Sequence, residues 1–262
     1  MYDLLSINRI KAIYKEKAMT NCDFFYFDRV DSTQKIAKQF LDYSNINKPC
    51  AIFAGTQMRG YGKRNRSFYS PQNSGIYMSI IIPRYEMQND DTGLLTISLG
   101  SGILEVFKKY YPKKVFYLKW VNDILLGKKK VAGIIVERQL DLSGIDSLII
   151  GVGINLITAV FPNELKKNAA SITSTIDIDF NKLSADLVAT VLLVVSSYRT
   201  KKFLGSYRKR LILTGKKIKV RMNNRIIQGT VLGINDNGGL LLKLKNRKIQ
   251  TLMSGDVIKV IY

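Results

Sequence analysis

Histidine is absent from this sequence. Its absence excludes serine–histidine triads, imidazole-ligated metals and imidazole acid–base catalysis. Any chemistry must then come from positioning and from cationic stabilisation by lysine, arginine or a bound metal ion. Cysteine is scarce: Cys22 and Cys50 match no metal-binding or redox spacing, so free thiols are expected. Acidic residues are few, 20 against 41 Lys and Arg, which leaves a formal charge of +21. No apolar run reaches the roughly 20 residues that a spanning helix needs. The nearest, Leu187 to Val195, reads as a buried helix. The N-terminal stretch lacks the apolar core of a signal peptide, so a cytoplasmic protein is expected, with no membrane partner.

What is present suits a globular chain. At 262 residues and 46% hydrophobic, it can hold one large domain and a small one. The positive charge is uneven, with ten Lys or Arg and no acid between positions 201 and 225. A solvated face and attraction to acidic partners or polyphosphate are both open readings of that stretch.

Periodicity predicts strands over 24–30, 50–56, 75–83, 115–126, 131–140 and 147–155, and helices over 33–43, 92–110, 179–200 and 203–211. A long, basic, glycine-punctuated loop occupies 57–74. From about Thr214 the texture changes to short β-rich runs separated by Asn223-Asn224, Asn237-Gly238-Gly239, Asn246-Arg247 and Ser254-Gly255-Asp256. Such spacing predicts a small barrel. The expected domains are 1–212 and 213–262, and the expected class is α+β: a mixed β-sheet flanked by helices, followed by the barrel.

Four segments carry chemistry. Lys119 sits inside the apolar run Phe116-Tyr117-Leu118 and Trp120-Val121, where a buried ammonium is costly unless an anion meets it. The loop Gln57-Met58-Arg59-Gly60-Tyr61-Gly62-Lys63-Arg64-Asn65-Arg66-Ser67-Phe68 combines cations with glycines that let backbone approach an anion. An exposed basic turn would look the same. Asp31-Ser32-Thr33-Gln34 reads as a helix N-cap. Gly151-Val152-Gly153-Ile154-Asn155 ends a strand with two glycines, which means a bulge or a close backbone approach.

The stretch Lys119-Trp120-Val121-Asn122-Asp123, followed by Lys130-Val131-Ala132-Gly133-Ile134-Ile135-Val136-Glu137, resembles the KWPND…KxxGIL-E signature of biotin–protein ligases, with valine in place of the usual proline. The basic loop resembles that family's GRGRxxRxW loop. Tyr61 and Lys63 stand where it usually has arginine, and Phe68 where it usually has tryptophan. The segments occur in the family's order from Asp31 to Asn155.

The resemblance implies biotin and ATP as substrates with Mg²⁺, biotinyl-5′-adenylate as intermediate, and a carrier-domain lysine of a biotin-dependent carboxylase as acceptor. It also implies a class II synthetase-like catalytic fold and an SH3-like terminal barrel. By the same token Ser32, Thr33, Gln34, Gln57, Gly60, Tyr61, Gly62, Lys63, Lys119, Gly133, Gly151 and Gly153 would surround biotin. Lys63, Arg66, Phe68, Lys119, Asn122 and Asn155 would meet the nucleotide. Lys119 would bridge the biotin carboxylate and the α-phosphate, with Arg66 as the second catalytic cation; no metal ligand is assigned. A basic residue near the end of the family's terminal barrel approaches the nucleotide; simple alignment puts Val260 there, with Lys259 beside it. About 22 residues precede the first catalytic strand, so the short form without a DNA-binding domain is expected, with no specific DNA partner. A homodimer stays open. A lipoate–protein ligase shares the acyl-adenylate logic and is the rival reading; it lacks the Lys-Trp-x-Asn-Asp pattern.

Overall fold

In the computed structural model, residues 5–17, 20–85, 87, 91–222 and 225–261 are described. β1 (Asp23–Val30) and β2 (Cys50–Gln57) run parallel, and α2 (Thr33–Tyr43) makes the crossover that a parallel pair requires. The remaining ladders are antiparallel. β2 meets β3 (Gly75–Ile82), β3 meets β7 (Asp146–Asn155), and β7 meets β6 (Lys129–Leu140). β6 then pairs with β5 (Asp123–Leu126), and β5 with β4 (Phe116–Lys119). The seven strands lie in the order β1-β2-β3-β7-β6-β5-β4.

Both faces of this sheet are covered, which is why β2 and β3 read as unbroken apolar runs. Alternation splits their side chains. Cys50, Ile52, Ile81 and Ile149 pack with Ala37 and Leu41 of α2. Ala51, Phe53, Ile80 and Ile150 join the larger core on the opposite face. There α3 (Thr92–Tyr110) packs against α4 (Phe180–Ser197), and α1 (Ile7–Lys17) packs against α4. By length and composition Phe180–Thr200 could cross a membrane. Here its apolar side chains fill the core under α1 and α3. α1 was not anticipated, because only Ile10 and Tyr14 of its basic sequence are buried.

The strand expected over 115–126 is instead the hairpin β4–β5, turning at Trp120–Asn122. Its apolar pattern does not register the break, because both arms are half-buried and flank a turn fixed by long-range bonds. Asn122 Nδ2 donates to Ile134 O at 3.0 Å, and Ile134 N–H donates to Asn122 O at 3.0 Å. The Trp120 indole donates to Gly238 O at 3.0 Å, across 118 positions of sequence.

Gly238 belongs to the second sheet, built from β8 (Lys217–Met222), β9 (Arg225–Ile234), β10 (Leu240–Lys243), β11 (Ile249–Leu252) and β12 (Asp256–Ile261). The order is β11-β10-β9-β8-β12, all antiparallel. Among the described residues no ladder joins β11 to β12, so the unit expected as a barrel is a five-stranded antiparallel sheet. The expected Asn223-Asn224 turn lies outside the described residues, as does Tyr262. Gly238 takes φ +79° in the β9–β10 turn, and a Cβ there would lie 2.9 Å from Ile97 Cδ1 of α3. The turn is thus pressed onto the larger half, and apolar residues of both sheets form one contiguous core. α5 (Leu204–Arg210) precedes the second sheet, and Leu211 bridges to Leu118 beside β4.

A second tie lies within the helical layer. Asp186 of α4 accepts from Lys17 at 2.8 Å, from Lys109 at 2.7 Å and from Tyr110 at 2.9 Å. Burial pushes its carboxyl up, but these three donors outweigh it and hold the pKa below the usual 3.8. A depressed carboxylate stabilises the fold above its unfolded value and loses that contribution as pH falls through the folded value. We expect Asp186→Asn to cost about 2 kcal/mol near neutrality, in denaturant titrations, by removing a partly buried charge that two lysines share. The two proteins should converge in stability as the pH drops below 3.8.

Candidate active site

Two clefts meet along the edge where α2, β6, β7 and the 57–74 loop converge. The first, of about 420 Å³, has an apolar floor of Met78, Ile134, Ile135 and Val152. Its polar wall is a hydrogen-bonded series. Ser32 caps α2, its hydroxyl accepting from Gln34 N–H at 3.2 Å. Thr33 N–H donates to Gln57 Oε1 at 2.9 Å, and Thr33 Oγ1 lies 2.8 Å from Ser79 Oγ. Ser79 donates to Gln34 Oε1 at 2.8 Å. Gln34 Nε2 donates to Glu137 Oε2 at 2.9 Å and to Ile149 O at 3.3 Å. Thr33, Gln34 and Ser79 are buried, so each bond is shielded from competing water.

The loop closing this cleft is a narrow hairpin. Gln57 pairs with Ser70 and Tyr61 with Ser67 in antiparallel bridges. Gly60 is demanded by close approach: a Cβ there would lie 2.8 Å from Gln57 Nε2 and 2.8 Å from Phe68 O. At the tip a 3₁₀ turn spans Lys63–Asn65, with Arg64 left-handed at φ 59°. The Tyr61 hydroxyl donates to Glu137 Oε2 at 3.0 Å, and Lys38 Nζ sits 5.7 Å from the Tyr61 ring and 3.2 Å from Glu137 Oε1.

Gly133 and Gly153 face each other across β6 and β7. The missing side chain of Gly153 seats the Phe68 ring, which a Cβ there would approach within 2.6 Å; a Cβ on Gly133 would instead lie 2.8 Å from Lys130 Nζ. Gly151 leaves the same kind of room for Gln34, whose Oε1 would be 2.7 Å from a Cβ there. Lys130 Nζ covers the other side of Phe68 at 5.7 Å from the ring centroid.

The second cleft, of about 580 Å³, continues from the first through Gly62, Phe68, Asn122 and Lys130. It is crowded with cations: Lys63, Arg64, Arg66, Lys119 and Lys130. Asp123 pairs with Lys130 at 2.7 Å, and Asp256 of β12 pairs with Arg66. Lys119 and Lys63 form no ion pair among the described residues. Burial pushes the Lys119 pKa below the usual lysine value; Asp123 opposes this, and Lys130 and Arg66 add to it. Burial also lowers Lys63, with Arg64 and Arg66 contributing and Asp123 opposing. A cleft built this way favours an anion. A third cleft of about 800 Å³ opens beside these two, reaching from Lys63 and Asn122 to Thr92, Gly93, Met253 and Ser254.

The residues singled out in the sequence divide accordingly. Ser32, Thr33, Gln34, Gln57, Tyr61, Gly62, Gly133, Gly151 and Gly153 line the first cleft. Lys119, Lys63 and Arg66 line the second and not the first, while Phe68 and Asn122 line both. Gly60 lines neither and shapes the hairpin. Asn155 is buried at the end of β7, outside both linings, with its Oδ1 lacking a hydrogen-bond partner. The terminal sheet enters the second cleft through Gly255, Asp256 and Val257, not through Lys259 or Val260. Sequence reasoning missed Lys130, Ser79 and Glu137 as site residues. Lys130 and Glu137 belong to the signature stretch and were findable there; Ser79, an isolated serine in an apolar strand, carried no signal beyond its polarity.

The chain is similar to known proteins over both of its sheets. Residues 26–155 match the biotin/lipoate A/B protein ligase family, and 213–260 match the biotin protein ligase C terminal domain. The bifunctional ligase/repressor BirA of Bacillus subtilis is 30% identical over 241 residues, covering 88% of this chain and 72% of that one. The biotin–[acetyl-CoA-carboxylase] ligase of Mycobacterium tuberculosis is 24% identical over 217 residues, covering 79% and 77%. The solved biotin protein ligase from Aquifex aeolicus, in complex with biotin and ATP, superposes with a TM-score of 0.75 at 27% identity, covering 89% of this chain and 97% of that one.

The seating of Phe68 generates a test. Gly153→Ala should cost roughly 1–3 kcal/mol in denaturant titration, the usual range for overpacking. If the clash is with the ring, Gly153→Ala together with Phe68→Ala should lose less than the two single losses combined. Additive losses would place the strain elsewhere.

Proposed function

The chain belongs to the biotin/lipoate A/B protein ligase family, and we propose that its two joined clefts bring a biotin carboxylate against the α-phosphate of ATP. The protein is a biotin ligase that uses biotin and ATP, and the lipoate alternative falls away against its relatives. The observation that carries the residue assignment is the shared wall. A hydrogen-bonding slot opens through Asn122, Phe68 and Lys130 into a cationic cleft whose Lys119 and Lys63 form no ion pair among the described residues.

The bicyclic head of biotin fits the first cleft, its polar ureido edge on Ser32, Thr33, Gln34 and Gln57 and its apolar part on Met78 and Val152. The carboxylate then points at Lys130, and the nucleotide lies in the second cleft under Lys119, Lys63 and Arg66. A carboxylate oxygen attacks the α-phosphorus; the new O–P bond forms as the α–β bridge breaks, and pyrophosphate leaves. Like-charge repulsion opposes that approach, and fixed cations are the means of overcoming it. Lys130, present in both clefts, takes the bridging place first assigned to Lys119, and Lys119 serves the phosphate side. In the second step an acceptor lysine amine attacks the anhydride carbonyl, loses its proton, and AMP departs.

Mg²⁺ would enter with ATP as its counter-ion and offset charge on the phosphates. Asp123 and Asp256 are the carboxylates of the second cleft that would be available to it. The acceptor is a carrier domain of a biotin-dependent carboxylase. The cytoplasm suits the buried free thiols of Cys22 and Cys50.

Biotin-dependent ATP–pyrophosphate exchange tests the activity directly. Lys119→Ala should lower its rate by ~10²-fold or more with the fold intact, and Lys119→Arg should fail as well, since a planar fork does not replace a compact ammonium. Near wild-type exchange in Lys119→Ala would remove Lys119 from the chemistry. Lys63 faces the same cleft from the hairpin tip, where a guanidinium would add paired hydrogen bonds to phosphate. Lys63→Arg should slow escape of biotinyl-adenylate in filter-binding assays, and Lys63→Gly should hasten it. Equal release in all three proteins would leave that hold to Arg66.

A further inference from the structure

The donors and acceptors of the first cleft determine one another, and the order they impose ends at a residue that does not line the cleft. Gln34 has two amide hydrogens, and both are taken: one by Glu137 Oε2 at 2.9 Å, the other by Ile149 O at 3.3 Å. The reverse amide orientation would set Oε1 against a carboxylate and a carbonyl, with no hydrogen on either side. Gln34 therefore shows the cleft an oxygen. That oxygen accepts from Ser79 at 2.8 Å, which commits the Ser79 hydrogen. The Thr33 hydroxyl has one hydrogen and two oxygens in reach, Ser79 Oγ at 2.8 Å and Gln57 Oε1 at 3.2 Å. The shorter contact takes it, since an oxygen pair at 2.8 Å without a hydrogen is repulsive, and Gln57 Oε1 is served by the Thr33 N–H at 2.9 Å.

We propose that Glu137 is a positioning residue for ligand recognition: its carboxylate fixes the Gln34 amide and, through it, the hydrogen-bonding direction of Ser79 and Thr33. Glu137 is itself anchored from two further elements, by Tyr61 of the hairpin on Oε2 at 3.0 Å and by Lys38 of α2 on Oε1 at 3.2 Å. The same carboxylate thus ties the closing hairpin to the orientation of the slot behind it. Its consequence is a slot whose Gln34 carbonyl faces N–H donors, the chemistry of a cyclic urea edge. The inference deepens the proposed function and rests on the first cleft being the biotin site.

Titration calorimetry with biotin, and the KM for biotin and for ATP in pyrophosphate exchange, should be measured for wild type, Glu137→Ala, Glu137→Gln, Gln34→Ala and the Gln34→Ala/Glu137→Ala pair. Loss of one charge-assisted hydrogen bond in Glu137→Ala should weaken biotin about tenfold, while the KM for ATP stays within about twofold. Glu137→Gln keeps an acceptor oxygen for Gln34 and should recover most of the affinity. The double variant should bind no more weakly than Gln34→Ala alone, because Glu137 acts through Gln34. Should Glu137→Ala melt early, Glu137→Asp, which keeps the charge but draws it back, takes its place in the cycle and should weaken biotin in the same direction. Unchanged biotin affinity in these variants, or losses that add in the pair, would overturn the inference while leaving the ligase assignment standing. A wild type without biotin-dependent exchange would instead overturn the proposed function.

Discussion

Like charge packed into a confined space is the constraint around which this molecule is organised. Lys63, Arg64, Arg66, Lys119 and Lys130 share one cleft with Asp123 and Asp256. Each carboxylate is engaged by a cation from another element: Asp123 at the start of β5 with Lys130 of β6, and Asp256 of the terminal sheet with Arg66 of the hairpin. The residual repulsion shows in Lys119 and Lys63, both held below the ordinary lysine pKa by burial and by their cationic neighbours. Folding tolerates this because the surrounding core is large and contiguous. A cleft of this charge favours an anion over a neutral occupant.

The terminal sheet belongs to the same arrangement. It contributes Gly255, Asp256 and Val257 to the cleft, and Asp256 holds Arg66. Its position depends on uncharged contacts: the Trp120 indole on Gly238 O and the close seat of Gly238 against α3. Trp120 lies in the turn that also sets Asn122 against Ile134. One tight turn therefore places Lys119 in the second cleft, Asn122 in the wall common to both clefts, and the sheet that adjoins them.

Much of this was legible in the residues. The two-sided burial of β2 and β3 reads directly as continuous apolar runs, and Asp31-Ser32-Thr33 marks the start of α2 as an N-cap should. What stayed hidden was set by contacts distant in sequence. The break between β4 and β5 rests on Asn122 reaching Ile134 and Trp120 reaching Gly238, so periodicity alone ran through it. α1 escaped because a helix burying only Ile10 and Tyr14 leaves a faint stripe. The glycines of β6 and β7 were readable as close approach, but their occupants, Phe68 and Gln34, come from other elements. Ser79 becomes meaningful only when its neighbours Thr33 and Gln34 are in place.

The two clefts discriminate by different physics, and their junction follows from that difference. In the first, every hydrogen of Gln34 and Ser79 is assigned and shielded from water, so selectivity comes from matching donors to acceptors at short range. In the second, flexible cations face a solvent-reachable space, where attraction reaches further and weakens with ionic strength. A reaction joining a neutral, shaped head group to a highly charged nucleotide needs both kinds of recognition, and needs them not to interfere. Lys130 stands at the boundary with Asp123 on one side and the Phe68 ring on the other. The ring, seated against Gly153, separates the hydrogen-bonded slot from the cationic cleft. A side chain at Gly153 would displace that partition and one at Gly133 would push on Lys130, which is why two residues without side chains matter as much to the site as the cations beside them.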